Sequence, residues 1–453
     1  MDEAWRGATL QRLSLPLLTF VVLLLVLSPV VQAQENLGAW LEAEGVVLMA
    51  EPGGKILYEK NSGERFYPAS TTKIMTALLL LEHTSPDEMV TVGEEVFLVG
   101  PDSSTSGLTL GDRIRVGDLL YAVMLPSGNE AAYAAAVYAA RQASSRPEMP
   151  VQEALDYFTS LMNDRARDLG ALHTHFANPD GYHDPDHYTT ANDLALIARE
   201  ALKKDLLRQA ARAKVHQVTV WRDGSPVTLE WFTTNWLLHP DLTYYYPRAT
   251  GLKTGHTPEA GGTLVATAVD GDLELIAVLM KSTTESRFQE AASLFDYGFD
   301  HFRLCRVVEK GEAVAVAALK GQAKGEEASV PAFTAAGFSD VLPAEDIPRI
   351  EKNVTWESRL LSGEALKAPL EEGEVIGRVS YTLDGTVLFE TELLSGCEVR
   401  ARFPWEKTAL PAVLVLGLFT LVRRRRRKAV RSRRGTRTRR KGVDKNRRRG
   451  RHR

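Results

Sequence analysis

The hydrophobic positions of this chain follow two different periods. Two apolar segments of Val46–Tyr58 lie on either side of the turn at Pro52-Gly53-Gly54, which predicts a β-hairpin. Apolar positions three and four apart predict helices at 68–81, 118–125, 130–143 and onward to 170, and 190–213. Two strand pairs and a closing helix are predicted at 215–220 with 227–231, 263–269 with 273–280, and 287–299. Strands at both ends of a helical middle predict an α+β fold.

The pattern changes after about residue 305. Short alternating strands at 313–317, 375–381 and 386–390 are separated by glycines and charged turns. We therefore predict a first domain at 34–303 and a small β-rich second domain at 304–400. The second domain contains no cluster of catalytic side-chain types, which favours a role in spacing or contact.

Both ends of the chain carry apolar segments. Residues 13–31 follow two arginines and precede small residues ending at Ala33, which predicts a signal peptide at 1–33; an uncleaved anchor is the alternative. Residues 408–422 carry no charge and would span about 22 Å as a helix, against a hydrocarbon core of about 30 Å. We predict a membrane anchor at 404–422, with a helix lying in the interface as the alternative. The body is then on the extracytoplasmic face.

The net charge of −3 hides a strong asymmetry. Residues 423–453 contain 19 Lys and Arg residues and one acid, a charge of +18, whereas residues 1–422 contain 36 basic and 57 acidic residues, a charge of −21. The tail is predicted to be disordered, cytoplasmic and held against anionic headgroups. Nothing beyond charge indicates nucleic acid, so no such partner is expected. Two cysteines, Cys305 and Cys397, either form one bridge or remain free.

The most informative stretch is Tyr67–Leu81. Ser70 and Lys73 are three residues apart, so a helix brings the hydroxyl and the ammonium to one face of its first turn. Pro68 and the Ser and Thr residues that follow predict a capped helix start, where free N–H groups suit a developing negative charge. A desolvated lysine can remove the proton of a serine nucleophile. An amphipathic helix with an ordinary surface lysine is the alternative.

Two further clusters suit the same pocket. Ser127-Gly128-Asn129 interrupts two helical segments, so a hydroxyl and an amide project from a turn. Lys253-Thr254-Gly255 precedes a strand-like segment, where an edge strand could pair with an extended peptide while the lysine and threonine hold a carboxylate. Each cluster alone is equally compatible with a plain turn. The three together, in this order, are a much stronger signal.

These residues resemble a known family. Ser70-x-x-Lys73, Ser127-Gly-Asn129 and Lys253-Thr-Gly255 look like the three motifs of serine penicillin-binding proteins and serine β-lactamases. The surrounding sequence, with Asn178-Pro-Asp-Gly181 and Gly251–Pro258, is similar to the low-molecular-weight D-alanyl-D-alanine carboxypeptidases over about residues 36–303. Lys367–Gly377 is similar to their β-rich C-terminal domain. Glu130, where the family usually has Asp, and the arginine-rich tail are departures.

The resemblance implies a fold and an activity. The fold would be a β-lactamase/transpeptidase-like domain, an antiparallel sheet with flanking helices and a helical subdomain, followed by the β-rich domain. The enzyme would remove the terminal D-Ala of peptidoglycan stem peptides and bind β-lactams covalently. A β-lactamase, or a catalytically silent cell-wall-binding protein, is the alternative. No cofactor is implied.

The resemblance also implies residue roles. Ser70 would be the nucleophile, Lys73 the base with its pKa lowered by burial and by Lys253, and Ser127 the proton relay. The substrate would be bound by Asn129, Lys253, Thr254 and Arg287 and by the backbone of His256, with Gly255 allowing the backbone to approach closely. A metal is not expected at the histidines of 173–187, because their spacing fits no standard zinc pattern.

Overall fold

The computed structural model describes residues 37–403 and 405–440, without the side chains of 405–410 and 429–440. The predicted signal peptide at 1–33 lies outside these residues. The described residues form two compact units: the first runs to residue 307 and includes 339–350, and the second comprises 308–338 and the residues from 351 onward. Residues 339–350, placed by the sequence in the second domain, thus belong to the first unit.

An antiparallel sheet of the order β2-β1-β9-β8-β7 is the centre of the first unit. Its strands, and those of a smaller sheet of the order β3-β4-β5-β6, are β1 (Gly45–Glu51), β2 (Lys55–Lys60), β3 (Met89–Thr91), β4 (Arg113–Arg115), β5 (Val215–Arg222), β6 (Ser225–Phe232), β7 (Ala249–Thr257), β8 (Gly261–Asp270) and β9 (Leu273–Ser282). A further strand, β10 (Phe302–Val308), follows the last helix.

Helices cover both faces of this sheet. They are α1 (Lys73–His83), α2 (Val116–Met124), α3 (Asn129–Ala143), α4 (Val151–Asp168), α5 (Ala191–Ala201), α6 (Asp205–Arg212) and α7 (Ser286–His301). Successive residues of β1 point to opposite faces. Val47 and Met49 pack in the core under α1 and the other helices of the middle segment, while Val46 and Leu48 pack in a second core under α7. Burial on both faces explains the unbroken apolar run of this strand.

The second unit is β-rich, as predicted. Its main sheet has the order β14-β17-β18-β12-β11-β16-β15 and is antiparallel except for the parallel pair β11–β16. The strands from here to the end of the chain are β11 (Ala313–Lys320), β12 (Ser329–Thr334), β13 (Phe338–Pro343, paired with β10), β14 (Glu351–Trp356), β15 (Leu361–Ser362), β16 (Ala365–Lys367), β17 (Val375–Leu383) and β18 (Thr386–Ser395). Both cysteines are free thiols.

One helix, α8 (Trp405–Arg440), follows the second unit's sheet. Its side chains are exposed from 411 to 428. Among residues 37–403 and 405–440, no helix combines the length and the apolar character needed to cross a membrane. The predicted single span at 404–422 is therefore not supported there, since its charge-free run is followed at once by Arg423–Arg427.

Phe158 tests the helical core of the first unit. Its side chain is completely buried between α4 and the neighbouring helices. We expect Phe158→Ala to lower the free energy of unfolding by about 3–5 kcal/mol, because the ring leaves a cavity that close-packed neighbours fill only in part. Denaturant unfolding measures this, with the exposed Ser160→Ala on the same helix as the control. Equal stability of the two variants would contradict the assigned packing.

Candidate active site

Ser70 lies in a 3-10 turn, Ala69–Thr72, that leads directly into α1. No side chain caps either helix start, so the predicted Ser/Thr cap is wrong. The carbonyl of Pro68 fixes the turn instead: it accepts hydrogen bonds from the hydroxyls of Thr71 at 2.7 Å and Thr263 at 3.0 Å. Because Thr263 belongs to β8, the turn that carries Ser70 is tied directly to the sheet.

Lys73 is completely buried at the start of α1. Its Nζ donates hydrogen bonds to Ser70 Oγ at 2.9 Å, Asn129 Oδ1 at 2.7 Å and the carbonyl oxygen of Asp180 at 2.7 Å. Burial lowers the pKa of Lys73 to about 8, while the carboxylates of Asp180 and Glu130 act in the opposite direction. At pH 7, one unit below this value, roughly a tenth of the amine is therefore neutral.

These three contacts orient the neutral amine. An amine keeps two N–H donors and one lone pair, whereas an ammonium has three donors. Of its three partners, the Asn129 amide oxygen and the Asp180 carbonyl can only accept, so the two N–H groups serve them. The lone pair is left for Ser70, the one partner with a proton to give. The site is thus arranged for proton removal from Ser70.

Ser127 and Asn129 enter the site from the break between α2 and α3. Ser127 has a φ of 62°, in the left-handed region that non-glycine residues rarely adopt, and its buried Oγ has no hydrogen-bond partner among the described residues. Asn129, the first residue of α3, donates from Nδ2 to Ser103 Oγ at 2.8 Å while its Oδ1 receives Lys73. The free Ser127 hydroxyl is available for a substrate.

Glu130 holds the loop that carries Ser103. Its Oε1 accepts hydrogen bonds from the backbone N–H groups of Ser106, Gly107 and Leu108 at 2.5, 2.9 and 3.3 Å and from Ser106 Oγ at 2.8 Å. The carboxylate therefore holds the backbone of residues 106–108 beside Asn129.

Lys253 and Thr254 lie on β7, the strand at the edge of the central sheet. The sequence left open an edge strand or a turn before a strand, and the structure has the edge strand. Lys253 is buried, donates to the carbonyl of Thr254 at 2.9 Å, and has its pKa lowered by burial and by the charges of Lys73 and Arg287. Burial is the largest cause of the lowered pKa of Lys73, and the repulsion between the two lysines lowers the pKa of Lys253. Thr254 Oγ1 is 2.5 Å from the hydroxyl of Thr234.

The close approach expected at Gly255 is present. A Cβ at this position would lie 2.9 Å from the backbone nitrogen of Ser70 and 2.3 Å from Thr263 Oγ1, so only glycine fits. The edge strand therefore passes directly beside the N–H of the serine. His256, the next residue, is exposed, with Nδ1 3.4 Å from Thr284 Oγ1.

Arg287 is placed differently from the other predicted site residues. Its Nη1 donates to the backbone carbonyls of Gly255 at 2.5 Å and Thr263 at 3.1 Å, and its buried Nε has no hydrogen-bond partner within the described part of the chain. Burial lowers its pKa to about 10. The guanidinium thus braces β7 against β8 and adds positive charge near Lys253.

The histidine-rich loop has structural partners. His187 Nδ1 accepts from the N–H of Ala177 at 3.1 Å, which leaves Nε2 to donate to Thr72 Oγ1 at 2.8 Å. Burial lowers the pKa of His187 to about 3, so the ring is neutral. Within residues 37–403 and 405–440, no three His, Cys, Asp or Glu side chains are grouped as a metal site.

Sequence reasoning missed Asp180, Ser103 and the role of Glu130. Asp180 follows a proline in a loop and contacts Lys73 through its backbone, which no side-chain pattern reveals. Ser103 is one of several polar residues in a turn-rich segment. The one usable signal was Glu130, an acidic residue directly after Asn129 and before an apolar helix face.

The Ser70 hydroxyl contacts the buried amine of Lys73 at a helix start, and the edge strand beside them carries a second buried lysine, Lys253. This arrangement is that of a serine acyl-transfer enzyme. The D-alanyl-D-alanine carboxypeptidase family model matches residues 31–284, and the model of the penicillin-binding protein 5 C-terminal domain matches residues 302–401. The chain belongs to the D-alanyl-D-alanine carboxypeptidase family, the serine peptidases of the S11 type.

Characterised relatives agree over most of the chain. D-alanyl-D-alanine carboxypeptidase DacC of Escherichia coli is 31% identical over 364 residues, 78% of this chain and 83% of the relative. DacF of Bacillus subtilis is 28% identical over 77% of this chain and 84% of its own length. Penicillin-binding protein 5 of Haemophilus influenzae is a structural neighbour with a TM-score of 0.57 and 28% identity, covering 79% of this chain and 98% of that one. The predicted family, α+β fold and enzyme class are confirmed.

Glu130 offers a test of the site's architecture. We expect Glu130→Ala to lower the free energy of unfolding by about 2–3 kcal/mol, because three backbone N–H groups lose a charged acceptor. Labelling of Ser70 by a fluorescent penicillin should also slow, because Ser103 no longer holds Asn129 in place. Denaturant unfolding and labelling rates measure both effects, with the exposed Glu94→Ala as control. A variant as stable and reactive as the control would show that the loop is held by other contacts.

Proposed function

We propose that this protein removes the terminal D-Ala from peptidoglycan stem pentapeptides through an acyl-enzyme on Ser70. The observation that carries the proposal is the contact of Ser70 with Lys73, an amine whose two other partners can only accept hydrogen bonds. The names of the relatives, D-alanyl-D-alanine carboxypeptidases, support the substrate class.

Acylation uses Lys73 as the base. Ser70 Oγ attacks the carbonyl carbon of the penultimate D-Ala while its proton passes to Lys73 Nζ. The C–N bond then breaks, and Ser127 gives its proton to the departing amine and takes one from Lys73. The buried, unpartnered hydroxyl of Ser127 suits this relay, because no protein group competes for it among the described residues. Water later hydrolyses the ester and frees Ser70.

Substrate binding uses the edge strand. The peptide pairs with β7, and the backbone N–H groups of Ser70 and His256 receive the oxyanion, each worth roughly 3–4 kcal/mol in such sites. The close approach of Gly255 to Ser70 brings these two backbone segments together. Asn129 orients the acyl amide, and Lys253 and Thr254 hold the terminal carboxylate. That carboxylate restores the charge of Lys253, whose pKa burial and neighbouring cations depress in the free enzyme. Arg287 contributes through its charge and through its hold on Gly255.

β-Lactams are expected to acylate the same serine. A β-lactam resembles the acyl-D-Ala-D-Ala end, and its ring carbonyl would occupy the same position beside Ser70. The name of the Haemophilus influenzae neighbour, penicillin-binding protein 5, supports this.

We also propose an extracytoplasmic enzyme that is attached to the membrane surface through α8. Val413–Phe419 expose large apolar side chains on this helix, and Arg423–Arg427 follow them. The apolar side chains would enter the boundary between the headgroups and the acyl chains, and the arginines would bind anionic headgroups. Together these contacts would give a stable attachment.

The nucleophile is tested directly by Ser70→Ala. We expect loss of D-Ala release from a pentapeptide ending in D-Ala-D-Ala, followed by mass spectrometry, and loss of fluorescent penicillin labelling, because no other hydroxyl contacts Lys73 Nζ in the described residues. The exposed Ser85→Ala should retain both activities. Labelling that persists in Ser70→Ala would overturn the assignment. Rapid nitrocefin turnover by the unaltered protein would favour the β-lactamase alternative.

The attachment is tested by deletion of residues 405–453. We expect the full chain to sediment with vesicles containing anionic lipid and the shortened chain to remain in solution, because the exposed apolar segment and the arginines are both removed. Deletion of 429–453 alone serves as the matched control and should keep the binding. Equal sedimentation of full and shortened chains would contradict the proposal.

A further inference from the structure

The side chain of Asp180 is a buried carboxyl that the proposed mechanism does not use. It is completely shielded from solvent. Its Oδ1 accepts one hydrogen bond, from the N–H of Tyr182 at 3.1 Å, and its Oδ2 is buried without a partner among the described residues. A carboxyl with so few donors is costly to bury unless a positive charge compensates it. The nearby positive charge is that of Lys73, which contacts the backbone of the same residue.

The loop that carries Asp180 cannot move away from Lys73. Asn178 closes the loop, with Oδ1 accepting from the N–H of Gly181 at 2.8 Å and Nδ2 donating to the carbonyl of Tyr182 at 2.9 Å. Gly181 has a φ of 83°, and a Cβ there would lie 1.9 Å from the carbonyl oxygen of Ala69, so the loop is pressed against the turn of the nucleophile. The Thr76 hydroxyl binds the carbonyl of Pro179 at 2.6 Å.

The other titratable groups around Lys73 lie on α3, on β7 and in the loop that carries Asp180. From α3, Glu130 faces it, but four donors surround one oxygen of that carboxylate. From β7, Lys253 faces it, with Arg287 behind, and both are cations. From the loop itself, His187 is neutral, because burial lowers its pKa. Glu130 Oε2 and Asp180 Oδ2 are each buried without a hydrogen-bond partner among the described residues, but Asp180 is the one of the two residues that also contacts Nζ, and its charge has the larger effect on the pKa of Lys73.

We propose that Asp180 is a positioning residue of the catalytic centre, whose buried carboxylate is the counter-ion of the Lys73 ammonium formed when Ser70 gives up its proton. The inference rests on the proposed role of Lys73 as the base. Attack by Ser70 moves a proton to Nζ and creates a buried positive charge. A fixed negative charge beside it stabilises that state without any movement of the protein.

The electrostatic coupling of the two groups agrees with this geometry. The Asp180 carboxylate raises the pKa of Lys73 against the effect of burial. Burial raises the pKa of Asp180 above its ordinary value, and the charge of Lys73 opposes that rise. Removal of the carboxylate has two consequences. The amine becomes neutral at lower pH, and it becomes a weaker base for the serine proton.

The test is the pH dependence of Ser70 acylation in Asp180→Asn, which keeps the shape of the side chain and removes its charge. The full-length protein is treated with fluorescent penicillin between about pH 5 and pH 10, a range that covers the titration of a perturbed lysine. For the unaltered protein, the rate constant should rise with pH with a midpoint near 8, the pKa of Lys73. In Asp180→Asn, the midpoint should fall by about one pH unit and the plateau by up to about tenfold.

Controls separate this role from a purely structural one and from the proposed function. Asp186→Asn removes an exposed carboxyl from the same loop and should leave the profile unchanged. Asp180→Glu keeps the charge and should return the midpoint towards that of the unaltered protein. Superimposable profiles of Asp180→Asn and the unaltered protein, at matched thermal stability, would overturn the inference while leaving Ser70 and Lys73 in their roles. If the unaltered protein is not labelled at all, the proposed function itself fails.

Discussion

The buried amine of Lys73 is the constraint on which the rest of this structure depends. A cation without partners in a protein interior costs several kcal/mol, so the fold must place hydrogen-bond acceptors around the Lys73 amine. Here they come from the serine turn, from the start of α3 and from the loop at Asp180, which lie 3, 56 and 107 residues away in the chain. A shift of any one of these segments would leave a donor unpaired, and this requirement couples the catalytic geometry to the packing of the helical core.

Local strain is concentrated where these segments meet. Ala69 and Ser127 both have positive φ values, which cost about 1–3 kcal/mol for residues with a Cβ; Ala69 directly precedes Ser70, and Ser127 itself carries the proposed relay hydroxyl. The strain is tolerated because the surroundings hold it in place. Thr263, on the sheet, fixes the turn that contains Ala69. Glu130 fixes the loop at 106–108, which lies beside the segment that contains Ser127. The cost in local conformation is thus offset by hydrogen bonds from distant parts of the chain.

The electrostatics of the cleft depend on which groups are paired. Lys73, Lys253 and Arg287 form a buried group of cations, and burial lowers the pKa of each. A substrate that carries a carboxylate would relieve this repulsion. The same reasoning explains why His187 is neutral: a further charge beside Lys73 would be unfavourable, and its ring serves to hold Thr72 instead.

The sequence by itself determined the family and most strands and helices, and it predicted the main site residues. Ser70 with Lys73, and Ser127 with Asn129, are local patterns that became informative only in combination and in this order. The hydrophobic pattern located β1, α3, β8 and β9. Only the tertiary structure decided that β7 includes Lys253, that Arg287 braces backbone carbonyls, and that Asp180 lies against Lys73. These contacts join residues far apart in the chain, often through backbone atoms, which are the same in every residue and therefore leave no trace in a sequence pattern.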